Sequence, residues 1–422
     1  LAAGKDQRSA INDGFKNALS AILDSNITTA LTGIILLVFG SGPIQGFATT
    51  LLIGIATSLF TALFITRLCI AYFMNKGASL TFVTAVSRNF FKNPTFDFIK
   101  NRKVYYIASG IFILIGITSL FTQGLNYGID FVGGRSYIVR FDKTVSANEI
   151  GEDLSDVFGS VESKTFGSDN QLKITTKYKI EESGEEVDSQ IQQMLYESLK
   201  PNLPAELSME EFATVTDGKA VGIMQYTKVG PTIADDIQKN AVWAILGSLI
   251  VMFLYILMRF KNWQFGFGAV AALFHDAFFI VAMYSICYKF LPFSLEIDQA
   301  FIAAILTVIG YSLNDTVVIF DRIREYVHIH SSWSLERKVN SALNSTLART
   351  FNTAISTGLV LLAIFIFGGE SLRGFMFALL IGVLTGVYST LFIATPLYYD
   401  TMKNKGGNSG ELLDKSGKTP EA

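Results

Sequence analysis

The sequence predicts a polytopic α-helical membrane protein with one small α+β domain outside the bilayer. Three observations predict it. Half of the 422 residues are hydrophobic and only 17% are charged. Several apolar runs reach the ~20 residues that a helix needs to cross ~30 Å of hydrocarbon. The stretch 124–235 breaks the series, being polar and changing its period from helical to alternating.

The elements follow in order. Residues 5–20 are polar, and Ile11, Phe15 and Leu19 recur at helical spacing, which predicts a short cytoplasmic helix. A first span over 26–40 is expected to break at Gly40-Ser-Gly-Pro43, and a second covers 47–73. Residues 74–103 form a basic connector with Lys76, Arg88, Lys92, Lys100, Arg102 and Lys103 against Asp97. The third span is 104–122. After the insertion come spans at 238–258, 265–288, 299–320, 350–367 and 373–397. The basic turn Arg259-Phe-Lys-Asn-Trp263 joins the fourth to the fifth. The tail beyond Lys403 has the composition of a disordered segment. Within the insertion, 136–141 alternates like a strand, 146–158 and 186–200 read as helices, and 160–166, 171–178 and 208–215 read as strands. The order β-α-β-β-α-β is that of a ferredoxin-like domain.

Lys and Arg mark cytoplasmic loops. Segments 74–103, 259–263, 321–349 and the tail carry them, and eight spans place all four on one side. Both ends are then cytoplasmic, and 124–235 lies outside. The insertion is acidic, which argues against nucleic acid. Cys69 and Cys287 lie in apolar runs and offer neither a disulfide framework nor a metal spacing. No Walker loop, HExxH helix or nucleophile elbow is present. These absences argue against an enzyme and predict no cofactor. The start at Leu1 resembles neither an initiator region nor a signal peptide, and suggests the C-terminal piece of a longer protein.

Residues 1–74 repeat 329–402 at one ungapped shift of 328. Phe39-Gly-Ser-Gly-Pro-Ile-Gln-Gly-Phe47 parallels Phe367-Gly-Gly-Glu-Ser-Leu-Arg-Gly-Phe375, and Leu51-Leu-Ile-Gly54 parallels Leu379-Leu-Ile-Gly382. Parallel repeats of this kind build transporters from two related bundles. Arg349 falls over Ala21 and Asn352 over Asp24, so the halves differ in charge where a site would sit.

The stretch Val308–Glu325 carries the polar centre. Asn314 and Asp315 interrupt an apolar helix that is expected to end at Asp321-Arg-Ile-Arg-Glu325. An intramembrane carboxylate costs at least ~2.5 kcal/mol at mid-bilayer and usually serves function. Ser312, Asp315 and Thr316 are read as one polar face. Arg349, expected to open the seventh span, precedes Asn352, Thr353, Ser356 and Thr357 at helical spacing. An Asp315–Arg349 pair at similar depth would let Asp315 take up a proton when the two separate; a static ion pair is the alternative. His275-Asp276 in the fifth span could relay protons, or be satisfied within the bundle. Asp130, in Asn126-Tyr-Gly-Ile-Asp-Phe-Val-Gly-Gly134, sits where the third span meets the insertion. Gly128, Gly133 and Gly134 predict a tight or hinge-like backbone there, or an ordinary turn. Gly382-Val-Leu-Thr-Gly386 is a GxxxG that would allow close helix approach.

The 126–134, 275–276, 310–325 and 367–375 motifs resemble the SecF protein-export membrane subunit, and residues 1–75 resemble the last two spans of SecD. The resemblance implies membership of the resistance-nodulation-division superfamily: two transmembrane helices from a SecD-like half and six from a SecF-like half. It also implies the bacterial cytoplasmic (inner) membrane, and a role in drawing preproteins out through the SecYEG channel at the expense of the proton motive force, or of a sodium gradient. Asp315 and Arg349 would lie on the proton path, with Asn314, His275 and Asp276 beside them. YajC-like and YidC-like subunits are the further partners implied. Two other readings remain: a proton-coupled exporter of lipids or small molecules, expected to show a roomy apolar outer pocket, and a non-transporting scaffold for translocon assembly.

Overall fold

A computed structural model describes residues 6–40, 43–77, 94–182, 184–215 and 219–403. The chain start, the 41–42 break, most of the basic connector with Arg88 and Lys92, and the tail from 404 lie outside the described residues. Among the described residues, eight helices are long and apolar enough to cross a membrane. The protein is a multi-pass membrane bundle with one four-stranded domain at one end, the outer end on the orientation that the sequence predicts.

The first repeat is α1 (Gln7–Phe39), α2 (Pro43–Phe60) and α3 (Thr66–Asn75), and α4 (Arg102–Thr122) follows. The separate helix expected at 5–20 is the first part of α1. Its start is set by a cap and not by the membrane surface, since the Asp6 carboxylate accepts from Ser9 N at 3.1 Å. A short turn, α5 (Ile129–Val132), leads into β1 (Gly134–Arg140), α6 (Ala147–Phe158), β2 (Val161–Phe166), β3 (Ser168–Thr176), α7 (Glu185–Leu199), α8 (Met209–Ala213) and β4 (Gly222–Val229).

The sheet order is β2-β3-β1-β4, antiparallel throughout. That is the split β-α-β arrangement the pattern predicts, with one element displaced. Residues 208–215 are not the last strand. Ser208 Oγ accepts from Glu211 N while the Glu211 carboxylate accepts from Ser208 N, a capping box that starts α8. The last strand is β4, which lies between Gly222 and Gly230 and pairs with β1. One sheet face packs Tyr137, Val139, Leu172, Ile174 and Ile223 against Ile150, Leu154, Ile191 and Leu195 of the helices. At its edge Arg135 is fully buried, and its guanidinium donates to Asp188 at 3.0 and 2.9 Å and to the Tyr178, Lys179 and Glu182 carbonyls.

The chain returns through α9 (Pro231–Phe260), α10 (Trp263–Cys287), α11 (Gln299–Ile329) and α12 (Leu335–Phe367), and closes with α13 (Glu370–Ser389) and α14 (Thr395–Lys403). Helix α9 begins at Pro231, seven residues before the expected span, because the water-exposed first turns continue the same helix. Two boundaries bear on the site. Helix α11 does not end at Asp321 but runs on to Ile329, with Arg322–Glu325 and Arg324–Asp321 paired across one turn. Helix α12 starts at Leu335, capped by Ser334, so Arg349 sits within it and does not open it.

Helix α11 is the most buried of the spans, and it touches α1, α9, α10, α12 and α13. The GxxxG is the reason α13 comes so close. A Cβ on Gly382 would collide with Val308, and one on Gly386 would press on Ser312 at 3.1 Å. The repeat is reproduced element by element: α1 shifted by 328 is α12. Both copies carry a five-residue π segment, Thr61–Ile65 and Thr390–Ala394. Each is closed by a threonine, Thr66 or Thr395, whose hydroxyl donates to the carbonyl five residues back.

Candidate ion-handling site in the membrane core

Two carboxylates lie buried on adjacent helices, and their surroundings differ. Asp276 on α10 is fully buried. Its Oδ2 accepts from Ser312 Oγ of α11 at 2.6 Å and from Ser389 Oγ of α13 at 2.8 Å, while His275 Nδ1 lies 3.4 Å from Oδ1. Asp276 therefore ties α10, α11 and α13 together at one point. Thr316 Oγ1 continues the seam, 2.8 Å from Thr390 Oγ1 in the π segment.

Asp315 is also buried, at 5% exposure, yet among the described residues no hydrogen bond or ion pair closes on it. Among the described residues, the charge felt at Asp315 is that of Arg349 of α12. The expected pair is thus near without a salt-bridge contact. Arg349 is exposed on α12, with Asn352 and Ser356 exposed beside it. Asn314 Oδ1 is buried with no partner.

The single polar face expected of Ser312, Asp315 and Thr316 divides in two. At about 100° per residue, positions four apart nearly coincide and neighbours diverge. Ser312 and Thr316 face α10 and the end of α13. One position earlier, Tyr311 donates to Thr357 Oγ1 of α12 at 3.2 Å, and Asp315 lies one turn along that same α12-facing row. Helix α11 thus shows a hydrogen-bonded row to one side and an unsatisfied carboxylate to the other.

The glycine motif is not in this core. It docks the outer domain on the segment just before α11. Gly128 N donates to Ile297 O at 3.0 Å, and the Asp130 carboxylate accepts from Gln299 N at 3.1 Å, beside the Asp298 cap that accepts from Phe301 N at 2.8 Å. Gly133 and Gly134 have φ of 69° and 150°, a turn that a Cβ would strain. The motif is therefore a tight turn held to that segment by hydrogen bonds. Lys173 of β3 adds an ion pair to Glu296 at 2.6 Å. Burial would raise Glu296, but Lys173 and Ser294 hold it below the usual carboxylate range.

A cluster that sequence reasoning missed sits toward the other end. Arg259 of α9 pairs with Asp24 of α1 at 2.7 Å and Asp321 of α11 at 3.2 Å, and Tyr255 OH donates to Asp24. The sequence places Arg259 in a basic turn and Asp321 at an expected helix end. The only hint was the charge difference between Asp24 and Asn352 in the repeat.

The family described as protein export membrane protein SecD/SecF, C-terminal, matches residues 2–76 and 208–404. The chain belongs to the SecD/SecF family. The SecD/SecF GG motif matches 118–145, which contains the Gly133-Gly134 joint. A protein translocase subunit SecF from Rhodothermus marinus is 43% identical over 308 residues, covering 73% of this chain and 93% of that one. A SecDF subunit from Bacillus subtilis is 31% identical and covers 94% of this chain, of which the match spans 53% of the relative. The crystal structure of SecDF, a translocon-associated membrane protein from Thermus thermophilus, superposes with a TM-score of 0.80 at 29% identity, over 96% of this chain and 51% of that one. The chain thus spans nearly all of the SecF relative and about half the length of the SecDF relatives. SecD/SecF proteins are membrane transport proteins and not enzymes.

Proposed function

We propose that this chain forms the SecF-like half, with the end of a SecD-like half, of an accessory subunit of the Sec translocase that uses proton flow to promote preprotein export. The observation that carries it is Asp315: a carboxylate buried in the membrane core without a hydrogen bond, on the helix whose outer end holds the outer domain. Such a group is costly when charged and alone. A proton from outside neutralises it and removes its attraction to Arg349. Release toward the cytoplasm restores both. Between the two states the contact of α11 with α12 tightens and loosens, while the Asp276 hub keeps α10, α11 and α13 together. Residues Gln299 to Asp315 span about 24 Å of one helix at 1.5 Å per residue. Movement of α11 is therefore delivered to Asp130, Glu296 and the domain they hold.

The partners on this reading are the SecYEG channel, YajC-like and YidC-like subunits and the preprotein. The site is the bacterial cytoplasmic membrane, with both ends of the chain inside and 124–235 outside. Asn314 and His275 flank the path, and a sodium ion is the alternative coupling ion. The outer cleft is small and lined by carboxylates, which does not suit an apolar cargo. The test is export of a signal-bearing reporter in cells relying on the full-length parent protein. Asp315→Asn is expected to abolish the stimulation, and Asp315→Glu to retain part of it, at equal protein levels. Full stimulation with Asp315→Asn would remove Asp315 from the mechanism and favour a scaffold.

A further inference from the structure

Tyr311 stands directly outside Asp315 on the face of α11 that meets α12. The two helices are joined by a short turn and run antiparallel, so each step outward along α11 meets a later residue of α12. Tyr311, one turn before Asp315, donates to Thr357 Oγ1 at 3.2 Å, with Thr353 O at 3.4 Å as a second acceptor. Arg349, whose charge acts on Asp315, lies one turn inward of Thr353 on the same row of α12. Side chains on a helix lean toward its N-terminus. That end of α11 is Gln299, so the Asp315 carboxyl leans toward the turn of Tyr311. The neighbouring faces of α11 are closed. Gly310 is pressed against Thr32 of α1, and Val308 and Ser312 against Gly382 and Gly386 of α13. Outward of Tyr311 its own row carries Thr307, Ala304 and Ala300 at helical spacing, and Ala300 lines the outer cleft. Tyr311, partly exposed, is the large side chain on that row between the cleft and a carboxylate that is 5% exposed and makes no hydrogen bond among the described residues.

We propose that Tyr311 is a positioning residue that gates the outer approach to Asp315. Its hydroxyl ties α11 to α12 one turn outside the carboxylate, and a proton from the outer cleft reaches Asp315 when that bond opens. This rests on the reading of Asp315 as the proton-carrying group and on the orientation that puts the sheet domain outside. The hydroxyl is a latch and not a carrier. Water admitted by the opening delivers its extra proton to an Asp315 carboxyl oxygen, and Tyr311 keeps its own. A latch and a relay have opposite signatures: losing the hydroxyl while keeping the ring speeds entry through a latch and slows it through a relay. One hydrogen bond of this kind shifts an opening equilibrium about fivefold.

The test is proton flux across liposomes carrying the full-length parent protein, driven by an imposed pH gradient and followed with a trapped pH-sensitive dye. Tyr311→Phe is expected to raise the flux about fivefold. Thr357→Val breaks the same bond from the other helix and should raise it by a similar factor. The double variant should gain no more than either single one, since both remove one shared bond. Both substitutions keep the side-chain shape, so protein level and melting temperature should hold. Adding Asp315→Asn to either should abolish the gain. Flux in Tyr311→Phe and Thr357→Val at or below the wild-type level, or absent in all three, would overturn the gate, and so would a gain that survives Asp315→Asn. A wild-type flux lost in Asp315→Asn but unmoved by the two bond-breaking variants would overturn the gate alone. A wild-type flux that Asp315→Asn leaves whole would overturn the reading of Asp315, and the gate with it.

Discussion

Asp276 and Asp315 differ in that the first is hydrogen-bonded and the second is not. Asp276 accepts from Ser312 and Ser389, so removing either hydroxyl leaves a buried carboxyl oxygen short of a donor. Ser389→Ala is expected to cost about 1–3 kcal/mol, read as a lowered melting temperature of the solubilised chain. Arg135 follows the same logic in the outer domain. All its donors are used, and Arg135→Ala should cost about 3–5 kcal/mol there, checked by chemical unfolding. Burial alone would raise its partner Asp188, but hydrogen bonds from Arg135 and Lys228 outweigh burial and hold it below the usual range. The folded pKa is depressed, so this contribution is complete above the unfolded value of about 4 and is lost as pH falls through the folded one. Asp188→Asn should flatten the acid limb of the outer domain's stability profile. The chemistry-bearing residues were legible in the sequence because charge is rare in apolar helices: Asp276, Asp315 and Arg349 stand out on that ground alone. Their partners were not. Ser389 and Thr390 are ordinary small polar residues in a span, and only the fold brings them to Asp276 and Thr316.

Apart from the helix at 209–213 and the strand at 222–229, element identities were legible, and element ends were not. Apolar length reveals where a helix crosses lipid, while capping decides where it stops. The Ser334 cap carries α12 some fourteen residues before Arg349, and paired charges carry α11 past Asp321. The repeat was visible as an ungapped shift, and it makes a sharp prediction about packing. Gly382 and Gly54 occupy equivalent positions, but a Cβ on Gly382 meets Val308 while one on Gly54 meets nothing within 4 Å. Gly382→Leu should overpack the α11–α13 seam, costing about 1–3 kcal/mol or more, whereas Gly54→Leu should be tolerated in this chain. Monodispersity and melting temperature in detergent would show the contrast. The strand at 222–229 escaped notice because the capping box before it looked like strand and loop, and its own alternation lies between two glycines.

At the scale of the whole molecule, α11 is the shaft between the membrane core and the outer domain. Its outer end is held by Asp130 and by the loop that Lys173 grips, its middle carries Asp315, and its inner end meets Arg259. Asp130→Ala should free Gln299 N and loosen the joint. Hydrogen exchange across 294–301 is expected to quicken about tenfold while the sheet core keeps its protection. Unchanged exchange there would detach the domain from the helix and remove the route by which ion binding reaches it. The central claim is that Asp315 couples the proton gradient to export. Its most direct test is preprotein transport in inverted membrane vesicles carrying the full-length parent, wild type against Asp315→Asn, with and without a proton gradient. The variant is expected to lose the gradient-dependent part and keep the rest. Equal gradient dependence in both would contradict it and leave Asp315 as a structural neighbour of Arg349.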